Sequence, residues 1–411
     1  MNFNLYIARK LKLSNDKRSN AILNIAKYGI ALAIIIMILS LSIINGFKNE
    51  IESKIYHLNS HIRVQLSPDY HNHTSRPIDY DLIKDELTEF KFISSKYKVI
   101  EKQSILKTEN NYKALNFRGY DLDKDTTFLS ETLISGRMPS FETDINNEII
   151  ISKRVQEELG IELNESVFSY FVSDKVKVRK LKVVGIFKTD FQDFDNNIVI
   201  GNISMLQTLN GWSQTECSYI GVDTHTKKNA KDDSFLIYDA LFKNIINNKC
   251  QDSFLIYNIQ DEYNTYFAWL DLLDTNILII LVLMSFVSGF TLIAGMLILI
   301  FDRIYTIGIL KSIGVSNTSI RQIFILLTQK LIFNAMITGN SIAIALCMIQ
   351  DYFHILKLNP DSYYMSFVPI YIDIPEIIFL NMAVLFFSIT TLIFPSYIIS
   401  KLSPNIILSF D

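Results

Sequence analysis

The sequence predicts a membrane α-helical protein in which four spanning helices carry one large α+β domain, held outside the cytoplasm between the first and second helices. Three observations predict this class. Hydrophobic residues make up 49% of the 411 positions, and mean hydropathy is positive at +0.22, whereas a soluble chain of this size keeps its surface polar. The apolar residues are gathered into four long stretches, while residues 45–276 read as ordinary polar and apolar alternation. In the short segments that flank those stretches, Lys and Arg are concentrated on one side. The formal net charge of −3 gives no global bias toward nucleic acid.

Each span follows from length and charge. A bilayer core needs ~20 apolar residues in a helix. Residues 22–44 form the first, with Lys27 near its cytoplasmic end, where it can snorkel. Its apolar run exceeds a signal-peptide core, and no small-residue cleavage site follows Ile43-Ile44-Asn45-Gly46-Phe47, so it is expected to stay in place. Residues 277–301 form the second, without a single charge. One charge at its centre would cost ~3 kcal/mol on insertion scales. Residues 331–350 form the third. Residues 377–399 form the fourth, with Pro395 in the last turn.

Orientation follows from the short loops. The segment 1–21 carries Arg9, Lys10, Lys12, Lys17 and Arg18; the loop 302–330 carries Arg303, Lys311 and Arg321; the tail 400–411 carries Lys401. The loop 351–376 is acidic, with Asp351, Asp361, Asp373 and Glu376 against Lys357. Both termini are therefore expected in the cytoplasm, and residues 45–276 and 351–376 outside it.

Within 45–276, short β-like runs such as Ile62–Leu66, Glu148–Ser152 and Leu181–Ile186 alternate with helical stretches at Lys153–Leu159 and Asp233–Asn247, which reads as α+β. Amphipathic stretches join this domain to the spans. Phe47, Ile51 and Ile55 recur at helical spacing after the first span, and Tyr263, Phe267 and Leu270 before the second. They are expected to form helical stalks whose apolar stripes face each other or a lipidic cargo.

Catalytic and metal signatures are missing. The chain has no G-x-x-x-x-G-K-[ST], no H-E-x-x-H and no G-x-S-x-G. His71 and His73 read as a polar loop, and His57 and His61 lack a third ligand. Cys217, Cys250 and Cys347 have no metal spacing; Cys217 and Cys250 could pair or stay free. Ser285 and Gly289 form a small-xxx-small pair suited to helix contact, and Asn334, Thr338 and Ser341 share a face expected to pack against another helix.

The loop Asp302 to Leu327 is the most informative stretch. Ile307, Leu310 and Ile313 suggest a short helix, Gly314 a helix stop, and Ser316 or Asn317 a cap for a helix that runs into the third span. Such an elbow can take force from a cytoplasmic partner.

Here the chain resembles a known family. Ile309-Leu310-Lys311-Ser312-Ile313-Gly314 is similar to the I-L-K-x-[ILM]-G signature of FtsX-like ABC-transporter permeases, and Phe394-Pro395-Ser396 with Leu402-Ser403-Pro404 is similar to their ending. Asn116-Phe117-Arg118-Gly119, Ser135-Gly136-Arg137, Glu148–Ser152 and Val183–Phe187 fall in the order of the family's MacB-like periplasmic core. Ala8-Arg9-Lys10, Asn45-Gly46-Phe47 with its preceding Leu39–Ile44, and Phe191–Val199 are most similar to the lipoprotein-releasing (LolC/LolE-type) permeases. Thr306 and Gly308 stand where the coupling signature carries an acidic residue and Ala.

The resemblance implies a permease subunit of the bacterial inner membrane, without a cofactor of its own. ATP and Mg²⁺ would belong to a separate cytoplasmic ATPase, docked on Arg303, Ile307, Leu310, Lys311 and Gly314. A second permease subunit, identical or paralogous, a lipoprotein cargo and a periplasmic carrier are the further partners it implies. Two other members' activities fit the same topology: export of amphiphiles or peptides, and signalling to a cell-wall hydrolase without transport.

Overall fold

The structure, a computed structural model, describes residues 6–7, 17–68, 76–141, 146–171, 175–246 and 253–401. Ala8, Arg9, Lys10, Lys12, His71, His73, Cys250 and Leu402-Ser403-Pro404, singled out above, lie outside the described residues.

In chain order the elements used below are α1 (Lys17–Leu58), β1 (Ile62–Leu66), β2 (Ile78–Asp79), β3 (Ile93–Lys107), β4 (Tyr112–Tyr120), β5 (Leu133–Gly136), β6 (Glu148–Ser152), α2 (Lys153–Leu159), β7 (Ser166–Phe171), β8 (Lys177–Phe187), α3 (Gln192–Asn197), β9 (Ile198–Asn202), β10 (Glu216–Cys217), β11 (Tyr219–Thr224), α4 (Ala230–Ile246), β12 (Phe254–Asn258), α5 (Asn264–Asp302), α6 (Ile304–Ser312), α7 (Asn317–Phe353) and α8 (Ile374–Lys401). They fall into a helical unit, built from residues 1–49, 270–357 and 367–411, and a mixed unit, built from residues 50–269 and 358–366.

Among the described residues, four helices are long and apolar enough to cross a membrane: Leu23–Leu58, Asn264–Asp302, Asn317–Phe353 and Ile374–Ser400. Between helices in lipid there is no water to expel, so close packing and polar contacts must hold them together. In the helical unit Ile30, Ile34 and Met37 of α1 pack into one cluster with Leu292, Met296, Phe324, Ala335 and Leu392. Ala335, Gly339, Ala343 and Cys347 recur every fourth residue on α7, and all four are buried. A Cβ on Gly339 would sit 3.0 Å from the Ala31 carbonyl oxygen, so this small stripe is what brings α7 against α1.

The polar face of α7 expected to pack against another helix is largely open within this chain. Asn334 and Ser341 are exposed, and the Thr338 hydroxyl donates to its own helix at the Asn334 and Ala335 carbonyls, each at 3.0 Å. A polar contact that does join α7 to α8 is Asn340 with Asn381. Each amide donates to the other's carbonyl oxygen, at 2.8 and 2.9 Å.

In the mixed unit, β3 is long enough to serve both parts of one ten-stranded sheet. Its first half pairs with β11, which continues to β1 and the edge strand β12. Its second half pairs with β4 on one side and β7 on the other. β4 then pairs with β9, β9 with β6, β6 with β8 and β8 with β7, which closes a ring of six strands. Closure removes free edges from that part of the sheet. The ring is filled by apolar side chains, with Phe117 against Phe171 at 5.7 Å between ring centroids. β5 extends β8 outside the ring, β2 pairs separately with β10, and α4 lies against β12.

Candidate functional site

The elbow between α5 and α7 is built by local rules. Gly314 takes a φ of +88°, which costs an L side chain but not glycine. Its N–H donates to the Lys311 carbonyl and the Val315 N–H to the Leu310 carbonyl, both at 3.0 Å, closing the last turn of α6. The Ser316 hydroxyl then accepts from the Ser319 N–H at 3.3 Å and starts α7.

Which face of α6 is available differs from the expectation. Ile307 and Gly308 are buried, and Leu310 packs against the helical core. Tyr305, Ile309 and Ile313 are 64%, 39% and 73% exposed. Spaced four apart, they share one face of the turn. The Lys311 ammonium donates to the Ile399 carbonyl of α8 at 2.7 Å, and its removal from water pulls its pKa below the ordinary lysine value. Arg303 lies 3.5 Å from Asp302. Arg321 stacks over Tyr397 at 4.0 Å and donates to the Ser396 hydroxyl at 3.3 Å. The elbow is thus tied to α8 by cations, while its outward face is apolar.

A groove of about 730 Å³ opens among α1, α5 and α8. Its walls are apolar, including Leu41, Leu281, Phe286, Leu380 and Phe387. Polar residues gather at the end set by Asn45, Asp274 and Glu376. Lys48 pairs with Asp274 at 2.7 Å, and the Asn45 amide donates to Glu376 at 2.5 Å. Ser285 lines the groove. Gly289 lies beyond it, where a Cβ would stand 3.1 Å from the Phe387 ring. Gly289 therefore gives α5 its approach to α8.

Gly46 has a specific reason to lack a side chain. A Cβ there would lie 2.4 Å from the Pro369 carbonyl oxygen. The Ser42 carbonyl beside it accepts from the Tyr371 N–H at 3.0 Å. The Asn45-Gly46 step is a seat for the chain that leads into α8.

In the mixed unit the stalk residues are packing residues. Ile51 and Ile55 are fully buried, and the Tyr56 and Phe267 rings meet edge to face at 5.9 Å. The Tyr263 hydroxyl donates to the Asn59 side-chain oxygen at 2.9 Å. Phe267 is half-buried; Phe47 and Leu270, which belong to the helical unit, are half-buried and buried. A buried ionic knot lies next to Asn59 and Tyr263. Arg118 donates through Nε to Glu101 at 2.7 Å, and through Nη1 to the Leu58 carbonyl and the Asn59 side chain, both at 3.1 Å. Arg63 stacks over Tyr219 at 4.1 Å and reaches Glu262 at 3.2 Å. Burial alone would raise the Glu101 pKa, but Arg118 and Arg63 hold it below the ordinary carboxylate value. β4, β3 and β1 thereby grip the last turn of α1 and the residues that precede α5.

His57 and His61 do not share a helix face, because α1 ends at Leu58. His61 Nδ1 accepts from the Thr224 N–H at 2.9 Å, and burial lowers its pKa to about 4. Among the described residues no group of three or more His, Cys, Asp or Glu is placed to hold a metal. Cys217 is buried, with its thiol donating to the Ile78 carbonyl at 3.6 Å.

Comparison with known proteins decides the family. Residues 25–232, half of the chain, match the MacB-like periplasmic core domain, and residues 278–404 match the FtsX-like permease C-terminal region. The chain belongs to the FtsX-like ABC-transporter permeases. The lipoprotein-releasing system transmembrane protein LolC of Xylella fastidiosa (strain Temecula1) is 19% identical over 99% of both chains. LolC of Buchnera aphidicola subsp. Schizaphis graminum is 24% identical over 97% of this chain and 95% of its own. The periplasmic region of MacB from Actinobacillus actinomycetemcomitans aligns with 50% of this chain and 91% of its own, at 16% identity and a TM-score of 0.34.

As an FtsX-like permease, the chain is a multi-pass membrane subunit whose family implies a separate ATPase partner. The sequence pattern located the elbow; of the residues it named there, Ile307 is buried and Leu310 is packed on the helical core. It placed Ile307, Leu310 and Ile313 three apart, whereas the exposed apolar residues stand four apart. The buried knot left a weaker trace, in the Asn116-Phe117-Arg118-Gly119 run; its partners come from five separate segments.

Proposed function

We propose that this permease releases a lipid-anchored protein from the outer leaflet of the bacterial inner membrane, with both termini in the cytoplasm and the MacB-like domain outside. The observation that carries this reading is the groove among α1, α5 and α8, which is apolar along its walls and polar at the end that charge bias places outward. The end-to-end alignment with LolC proteins supports it. An ATPase would seat on Tyr305, Ile309 and Ile313, with Gly314 fixing the turn. ATP-driven closure would move α6, and with it α5 and α8. Work is needed because bringing acyl chains into water costs ~0.8 kcal/mol per CH₂, so a 16-carbon chain costs about 12 kcal/mol.

Two permease subunits, identical or paralogous, complete the machine, and a periplasmic carrier takes the cargo. ATP and Mg²⁺ act in the ATPase alone. The test is reconstitution of the chain and its ATPase in proteoliposomes with a fluorescent diacylated lipoprotein. ATP-dependent release to a soluble acceptor is expected, and its absence from an ATP-hydrolysing preparation would sink the reading. The groove also fits one alternative, export of a small amphiphile. Release of a single-chain amphiphile without release of the lipoprotein would favour it. Co-purification of a cell-wall hydrolase, with neither released, would point to signalling.

A further inference from the structure

The connection between α7 and α8 is an ordered element. Gln350, buried at the end of α7, donates to the Leu356 and Val368 carbonyls at 3.2 and 3.1 Å. Further out, the middle of the connection, Leu358–Ser366, belongs to the mixed unit. The Leu358 N–H donates to the Ser366 carbonyl at 3.0 Å, and Asn359 caps the turn Pro360–Tyr363 by accepting from the Asp361 N–H at 3.0 Å.

This nine-residue tip is held at several points. The buried Lys54 ammonium of α1 donates to the Tyr364 carbonyl at 2.8 Å. Arg154 of α2 donates to the Asp361 carboxylate at 2.8 Å, and Gln192 of α3 donates to the Asp361 carbonyl. The Ser366 hydroxyl donates to Asp190 at 2.8 Å. The Tyr364 ring meets Phe191 at 5.8 Å and Tyr266 of α5 at 5.7 Å. One small turn therefore touches both α1 and α5 as well as α2 and the β8–α3 loop.

Its attachment is shallow. Asn359, Asp361, Ser362 and Tyr363 are exposed, and Met365 alone in the tip is buried. The Arg154 and Asp361 side chains are 47% and 67% exposed, and such pairs contribute little net stability. Among the described residues no strand ladder joins the tip to the sheet. An element with few buried contacts and several side-chain hydrogen bonds opens more readily than the sheet beneath it.

We propose that Leu358–Ser366 is a releasable clasp: docked on Lys54, Arg154, Asp190 and Tyr266 in one nucleotide state of the transporter, and undocked in another. The tip then sits on the rest of the mixed unit for only part of each cycle. This requires an ABC permease cycle and is independent of the cargo.

Hydrogen exchange on the full chain with its ATPase, in nanodiscs, tests it. Amides 356–368 are expected to exchange at least 10-fold faster in one of two states, nucleotide-free or vanadate-trapped. Equal exchange in both, while the α6 peptide changes, overturns the clasp. Asp361→Arg is expected to raise exchange of the tip several-fold in the docked state, and Arg154→Asp with Asp361→Arg to restore it. Both side chains are exposed, so folding is not at risk. No effect of Asp361→Arg, or no restoration by the pair, also overturns the proposal.

Discussion

Single residues separate space from backbone conformation. Gly46 lacks room for a Cβ, whereas Gly314 has nothing within 4 Å of where a Cβ would stand but takes a φ of +88°. Gly46→Ala should cost about 1–3 kcal/mol, as overpacking does, and Gly314→Ala about 1 kcal/mol. Thermal unfolding of the two purified variants in detergent compares them; equal midpoints would contradict the packing argument. His61 and Asp121 make opposite pH predictions. Burial lowers His61 to about 4, so its contribution to stability is present above the unfolded pKa of about 6.5 and is lost as pH falls toward 4. Going from pH 7 to 5 should cost about 2 kcal/mol from this group, and His61→Gln should lose that acid sensitivity. Burial raises Asp121 to about 6, so its contribution is present below about pH 4 and is lost as pH rises through 6. Asp121→Asn, which keeps an oxygen to accept from the Lys98 N–H at 3.0 Å, should stabilise the chain at pH 7.5 and do little at pH 4. Unfolding midpoints across that range decide both. Neither shift is legible in the sequence, because desolvation depends on neighbours that are distant along the chain.

At the scale of elements, α6 shows what periodicity can and cannot tell. The run from Ile304 to Ser312 is apolar nearly all round, so the pattern alone does not orient it. The buried Ile307 and the exposed Ile309 differ only in which way the turn faces the core. Ile309→Asp and Ile313→Asp should each cut co-purification of the ATPase at least 10-fold and leave the permease's unfolding midpoint unchanged. Ile307→Asp should instead destabilise the permease by several kcal/mol, as an unpaired buried carboxylate does. If the exposed pair binds ATPase normally, the docking face lies elsewhere. The α7 stripe follows the same logic. Ala335, Gly339, Ala343 and Cys347 are unremarkable in an apolar sequence, but they are the residues small enough to let α1 close in. Gly339→Leu should weaken that contact far more than Ser341→Leu, measured by unfolding in detergent.

At the scale of the whole molecule, the groove gives the transport reading a specific liability. Leu281→Trp should fill it and lower amphiphile-stimulated ATP hydrolysis several-fold, while Leu272→Trp, on an exposed site outside the groove, should not. Matched rates for the two variants would remove the groove from the mechanism. The family implies a permease that works with a separate ATPase.

The sequence by itself determined the four apolar helices, because an uncharged stretch of sufficient length is a local property. It also determined the helix stop at Gly314 and the cap at Ser316, since both act over one turn. The order of motifs was enough to indicate the family. The tertiary structure decided everything that needs two distant segments at one point: the face α6 presents, the seat of Pro369 on Gly46, the ring of six strands, the ionic knot around Arg118, and the docking of Leu358–Ser366. Periodicity records that a residue is apolar or small, whereas burial and pairing depend on what the fold brings against it.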